Sequence, residues 1–314
     1  MRGPVAVTGG TGFIGRMIVR RLVESGWPVR ALTRRDDPGL RAAGVTTIRG
    51  ALEDEAALAR LVEDATAVVH CAAAITAPDR KTFQLVNGVG AGRLMAIATA
   101  ARSQPRVVLL SSLAAREPAL SPYTESKRSG EDQVRRAAGA GTQFCILRPP
   151  AVYGPGDRAT LAVFRQLKKG LLFVPAVPDA RFSLIYVDDL AKLVVQLLDT
   201  ARWEGCVLEP DDGRTGGYGW RDLAEIAGRH LGRRVRTMAL PQSVLWPAAA
   251  VSQAVGATLG RPSRLSPGKL RELFHPDWVC RGDSSLTLPS GTVRTTFETG
   301  FARTMTWYER HRWL

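Results

Sequence analysis

The chain has 314 residues, 45% hydrophobic and 23% charged, enough to bury one large core or two and unlike a disordered or fibrous protein. Its formal net charge of +14 is scattered along the chain without an aromatic-interleaved stripe, so nucleic acid is not an expected partner. An arginine-rich proteome is the first reading of that charge, and attraction to an anionic membrane the second.

Chain order begins with an apolar strand at 4–9 running into "TGGTGFIG" and a helical pattern at 15–25. Strand, Gly-rich turn and helix in one short span are what a dinucleotide pyrophosphate requires. Gly9, Gly12 and Gly15 fit G-x-x-G-x-x-G, while Gly10, Gly12 and Gly15 fit G-x-G-x-x-G. Either set lets backbone approach the phosphates at a helix N-terminus. The second strand, 28–33, ends in Thr33-Arg34-Arg35, where an NAD-binding protein usually carries an acidic residue. Two guanidiniums suit a 2′-phosphate, so NADP(H) is the expected cofactor; Asp36 keeps NAD open.

Strands follow at 45–49, 66–72, 106–112 and 143–149, separated by helical patterns at 54–65, 87–102 and 125–138. Near-continuous apolar strands alternating with helices predict a parallel sheet covered on both faces. The expected fold class is α/β: a Rossmann-type doubly wound parallel sheet with a smaller, discontinuous C-terminal substrate domain. After residue 150 Pro and Gly cluster and the helices shorten, but 181–199 repeats a strand–helix unit. This assigns 1–150 and 181–200 to the NADP-binding domain and 151–180 and 201–314 to the substrate-binding domain. The four cysteines (Cys71, Cys145, Cys206, Cys280) form no C-x-x-C pair, and the four histidines have no metal spacing. No secretory signal is visible, and 244–259 is too interrupted to span a bilayer. The expected location is cytoplasmic, with peripheral contact at the inner face of the membrane as an extension of that reading.

The segment "SPYTESK" places Tyr123 and Lys127 four residues apart, on one face of a helix for which Ser121 and Pro122 suit N-cap and N1. An ammonium beside a phenol is expected to lower its pKa and fit it for proton transfer. A serine ending the fifth strand, Ser111 or Ser112, can hydrogen-bond a substrate oxygen. His70, Asp188 and Asp189 read as packed or helix-capping residues, and Trp246, Trp278, Trp307 and Trp313 as core or domain contacts.

Together with "VVHCAAA", "LVNGVGAGRL", "LRPPAVYGPGD" and "FSLIYVDDLA", these motifs run in order along essentially the whole chain. They resemble the short-chain dehydrogenase/reductase superfamily, in its extended or atypical branch, which includes the NAD-dependent epimerase/dehydratase family. The resemblance implies Ser112, Tyr123 and Lys127 as the catalytic set, with Asn87 on the helix lying against it. It implies cofactor contacts from Gly9, Gly12, Phe13, Ile14, Gly15, Arg34, Arg35, Ala72, Tyr123, Lys127, Pro150 and Val152. Ala51 and Thr66 depart from the family's acidic positions on the adenine side. The interval from Ser112 to Tyr123 is shorter than in most sugar-nucleotide epimerases.

The function expected is NADPH-dependent reduction of a ketone on a hydrophobic, lipid-like small molecule, with Tyr as proton donor. Here "SSLAAREPALSPYTESKRSGE" and "ELFHPDWVC" are similar to bacterial lipid-pathway proteins, including ketoceramide (sphingolipid) reductases. That similarity implies a long-chain keto-lipid such as 3-ketoceramide as substrate. The apolar segment 240–260 reads first as core, then as a pocket wall or membrane contact. The alternatives are a nucleotide-sugar epimerase or dehydratase, and a non-catalytic scaffold.

Overall fold

A computed structural model describes residues 2–199, 203, 205–258, 265–281 and 294–314; residue 200 of the first expected domain and residues 259–260 of the apolar segment lie outside the described residues. Six strands of the first half, β1 (Val5–Thr8), β2 (Val29–Thr33), β3 (Thr46–Arg49), β4 (Ala67–His70), β5 (Arg106–Leu110) and β6 (Phe144–Leu147), lie in one parallel sheet. A seventh strand, Cys206–Leu208, pairs in parallel with β6, giving the spatial order seventh–β6–β5–β4–β1–β2–β3. The order reverses at β1, where the chain goes first to β2 on one side and later to β4 on the other. In such sheets the ligand crevice lies outside the carboxyl ends of the strands at that reversal.

The strands are apolar throughout because both of their faces are covered. Val5, Val7 and Val69 face a core completed by Ile18 and Leu22 from the helix Phe13–Glu24 and Leu190 and Val194 from the helix Val187–Asp199. Their neighbours Ala6 and Val68 face the other core, with Leu58 and Leu61 from Glu55–Val62 and Leu94 and Met95 from Gly90–Ala100.

Two features differ from the sequence reading. The unit at 181–199 divides: its helix packs on the main sheet, but its strand Leu184–Tyr186 pairs with Ala151–Tyr153 in a separate two-stranded sheet. The place at the sheet edge goes to Cys206–Leu208, beyond the expected boundary at 200. That strand is only three residues long, too short for its periodicity to register.

A third core is largely aromatic. Tyr153, Phe164, Tyr186 and Tyr218 pack against Phe297, Phe301 and Tyr308 of the C-terminal helix Phe297–Arg310. Phe164 stacks on Phe301 with ring centroids 5.2 Å apart. Trp307 and Trp313 pack against this core, whereas Trp246 is 37% exposed, which sets aside the core half of the core-or-domain-contact reading for it. The four cysteines are free, and no group of His, Cys, Asp or Glu among the described residues is arranged to hold a metal.

Candidate active site

Leaving β1, the chain turns at Gly9 with φ +72°, a conformation L side chains rarely adopt. A Cβ on Gly9 would lie 2.5 Å from the Ala72 nitrogen, and one on Gly15 would lie 2.1 Å from the Gly9 carbonyl oxygen. Helix and turn therefore approach as closely as glycine alone permits. Gly12 starts the helix Phe13–Glu24 without a side-chain cap, so the N–H groups of the first turn, at Phe13, Ile14 and Gly15, await an external acceptor. Ala72 enters through its backbone, its N–H donating to Thr8 Oγ1 at 3.3 Å, which fixes the end of β4 beside the turn. A cradle that a Cβ would fill, beside an uncapped helix start, fits a dinucleotide pyrophosphate.

At the end of β2, Arg34 and Arg35 are exposed, and neither has a side-chain partner among the described residues. The nearby carboxylates are engaged elsewhere. Asp36 pairs with Arg41 at 2.7 Å, and Asp37 both pairs with Arg16 and accepts from the Leu40 N–H. Neither guanidinium is therefore offset by a carboxylate among the described residues.

Tyr123, Lys127 and Ser112 come together at the carboxyl end of β5. Ser121 caps the helix Pro122–Ala137 with Pro122 in its first turn, as expected, and a reciprocal capping box joins Ser121 and Thr124. This holds Tyr123 in the first helical turn, where its ring meets the edge of Phe83 at a centroid distance of 6.1 Å. The Ser112 hydroxyl lies near enough to the Tyr123 phenol to pull its pKa down, while Ser111 points inward and donates to Glu131 Oε1 at 2.6 Å. Of the two serines, Ser112 is therefore the one facing the phenol. Lys127 is buried and its Nζ donates to the Leu110 carbonyl at 2.8 Å.

One electrostatic expectation is corrected. Burial pushes the Tyr123 phenol up to about 12; the nearby Ser112 hydroxyl opposes the rise and the negative charge of Glu272 adds to it. Lys127 does not lower it, because its own ammonium is desolvated and directed at the Leu110 carbonyl. Burial draws Lys127 down to about 8, against the opposing fields of Glu131 and Cys71. The arrangement holds a protonated phenol and a weakened ammonium on one helix face.

Several residues of the surrounding network went unrecognised in the sequence. Glu131 continues the 123–127 spacing by four more residues, and that spacing was the available signal. It is fully buried and accepts two hydrogen bonds from Arg148, at 2.8 and 2.6 Å. Burial raises the Glu131 carboxyl, but the bonds from Arg148 and Ser111 hold it below its ordinary value. Glu272, in the helix Pro267–Leu273, accepts from Ser121 Oγ at 2.6 Å and so ties the start of the Tyr123 helix to the C-terminal half.

Asn87 lies in a single π-helical segment, Gln84–Val89, that precedes Gly90–Ala100. Its amide bonds both backbone groups of Ala74 and the Ser126 hydroxyl, tying the loop after β4 to the Tyr123 helix. His70 is buried against Thr8, with its Nδ1 2.6 Å from Thr8 Oγ1, and burial lowers it to about 3, so it is neutral and packed. Asp188 pairs with Arg21 and Lys192 at the start of its helix. Pro150 is buried after β6, and Val152 sits in the short strand that follows.

The sequence profile of the NAD dependent epimerase/dehydratase family matches residues 5–205. The chain is 39% identical to the ceramide reductase of Caulobacter vibrioides, over 100% of this chain and 96% of that protein. It is 29% identical to the 2-alkyl-3-oxoalkanoate reductase of Stenotrophomonas maltophilia, over 60% of this chain and 62% of that protein. In fold it is similar to MoeE5 solved in complex with UDP-glucose and NAD, with a TM-score of 0.72 at 23% identity, over 99% of this chain and 100% of that one.

Proposed function

Because the chain belongs to the NAD-dependent epimerase/dehydratase family, we propose that it uses NADPH to reduce the ketone of a long-chain keto-lipid such as 3-ketoceramide. At the coarser level it is an NAD(P)-dependent oxidoreductase of the short-chain dehydrogenase/reductase type. The observation that carries the finer reading is the buried Tyr123 phenol beside Ser112, with Lys127 on the same helix. Reduction needs a proton donor at the carbonyl oxygen, and a phenol that burial keeps protonated supplies one. The substrate class rests on the full-length similarity to a ceramide reductase, and on the apolar ring of Phe83 beside Tyr123.

In this mechanism Gly9, Gly12, Phe13, Ile14 and Gly15 hold the pyrophosphate, Arg34 and Arg35 the 2′-phosphate, and Ala72, Pro150 and Val152 border the dinucleotide. When bound, the reduced nicotinamide supplies the hydride that reaches the carbonyl carbon. Ser112 orients the carbonyl oxygen and stabilises charge as it grows there. Tyr123 then gives that oxygen its proton, a downhill transfer because an alkoxide is a far stronger base than a phenolate. Lys127, held near 8, can return a proton to a phenolate whose own value lies near 12. Residues 151–180 and 201–314 would supply most of the substrate's surroundings.

The test is NADPH oxidation by the purified protein across long-chain 3-keto-amides and UDP-sugars. Turnover of the keto-lipids is expected; turnover confined to the sugar nucleotides would overturn the assignment. A second measurement addresses the cofactor. Removing both guanidiniums in an Arg34→Ala/Arg35→Ala variant is expected to cut the preference for NADPH over NADH by a factor on the order of a hundred, since charge-assisted hydrogen bonds contribute about 1.5–3 kcal/mol each. An unchanged preference in steady-state kinetics would take the 2′-phosphate away from this rim.

A further inference from the structure

The helix Gln242–Thr258 has 17 residues, none of them charged, and lies mostly at the surface. Val244, Val251 and Val255 are 60%, 63% and 50% exposed. At helical spacing these three fall on one stripe, well away from the buried Ala249 and Gly256. Pro241 links this helix to the strand Arg236–Leu240, which pairs in parallel with Leu171–Pro175. There Met238 and Phe173 are cross-strand partners, 48% and 44% exposed. Arg236 lies two residues before Met238, on the same side of the strand.

Basic charge gathers at the same end of the chain. Arg233, Arg234 and Arg236 are exposed and have no carboxylate partner among the described residues. They line a shallow groove with Arg221 and Arg229, whose acidic members are few: Glu225 lies on its wall, and Glu298 pairs with Arg229 at 3.4 Å. No helix among the described residues is long and apolar enough to cross a membrane. An uncharged helix that exposes an apolar stripe, in a chain segment that also carries arginines without carboxylate partners, leaves apolar and basic surface for a partner to cover.

We propose that the face made by Gln242–Thr258, the Met238–Phe173 pair and Arg233, Arg234 and Arg236 docks on an anionic lipid surface. The exposed valines enter the headgroup boundary, while the arginines meet lipid phosphates. A second copy of this chain, carrying the same unpaired arginines, would place like charges opposite one another, which is why lipid is the occupant chosen. The helix also packs on Pro267–Leu273, whose Glu272 is bonded to Ser121 at the start of the Tyr123 helix. Docking would therefore bring the membrane beside the segment that carries the candidate site, without depending on the reaction assigned to it.

Co-sedimentation of the full chain with vesicles tests this, comparing phosphatidylcholine alone with phosphatidylcholine mixed with phosphatidylglycerol. Binding is expected to the anionic vesicles only, and to weaken with salt. An Arg233→Gln/Arg234→Gln/Arg236→Gln variant is expected to lose affinity on the order of a hundredfold, and Val251→Asp/Val255→Asp at least about tenfold. Both sets of changes are at exposed positions, so the unfolding midpoint is expected to stay where it is, and NADPH turnover in detergent serves as a second check on folding. No binding to anionic vesicles, equal binding to neutral ones, or binding indifferent to both variants would overturn the proposal. So would an oligomer that Val251→Asp/Val255→Asp dissociates in a wild type that ignores lipid.

Discussion

Tyr123→Phe is expected to lower kcat for ketone reduction about a thousandfold while leaving the affinity for NADPH little changed. General acid catalysis contributes about 10²–10⁴ in rate, and this substitution removes the acid together with its interaction with Ser112. The ring stays in place because its edge contact with Phe83 and the Ser121 cap of its helix do not involve the hydroxyl. Lys127 keeps its bond to the Leu110 carbonyl, so the charge beside the cofactor site is unchanged. The loss should therefore appear in kcat rather than in KM for NADPH. Single-turnover kinetics with direct NADPH titration separates the two. Full retention of kcat would remove Tyr123 from the chemistry, and a parallel loss of cofactor binding would make its role structural.

The parts of this protein that were legible in the sequence are those whose signal is local. The turn at Gly9, Gly12 and Gly15, the cap at Ser121 and the spacing of Tyr123 and Lys127 each depend on a few adjacent residues, and the structure realises their geometry. The apolar runs of β1, β4 and β5 told equally plainly of a sheet covered on both faces, since nothing else makes consecutive residues apolar in so short a strand. What escaped is what depends on distant partners. Cys206–Leu208 is a strand because β6 offers it an edge, and its own three residues do not declare it. The Glu272–Ser121 bond joins positions 151 residues apart. The direction of the Tyr123 shift failed for the same reason: four-residue spacing puts an ammonium on the right helix face, but the Leu110 carbonyl from β5 accepts its hydrogen bond and burial does the rest. The exposure of the helix Gln242–Thr258 likewise defied its composition, which suits a core as well as a surface.

Lys127→Met is expected to abolish most of the activity, about a hundredfold or more in kcat, and yet to make the dinucleotide-free protein more stable at pH 7. Burial draws the ammonium from 10.5 down to about 8, so the folded state holds this proton less tightly than the unfolded chain. That difference costs about 3 kcal/mol wherever the group is charged in both states. Methionine fills a similar volume without charge, but leaves the Leu110 carbonyl without its donor, which returns about 1–2 kcal/mol of the gain. A net stabilisation of about 1–2 kcal/mol should remain. The pH dependence identifies the cause. Below about 8 the lysine is protonated in both states and the gap between variant and wild type is constant. From about 8 to 10.5 the unfolded chain alone binds the proton, so wild-type stability gains about 3 kcal/mol on the variant, and the gap closes and then reverses by about 1–2 kcal/mol as pH rises. Urea unfolding of both proteins across that range measures it. A variant less stable than wild type at pH 7, with a gap that does not move through this window, would mean that Lys127 is held for packing rather than as a destabilising charge retained for proton transfer to Tyr123.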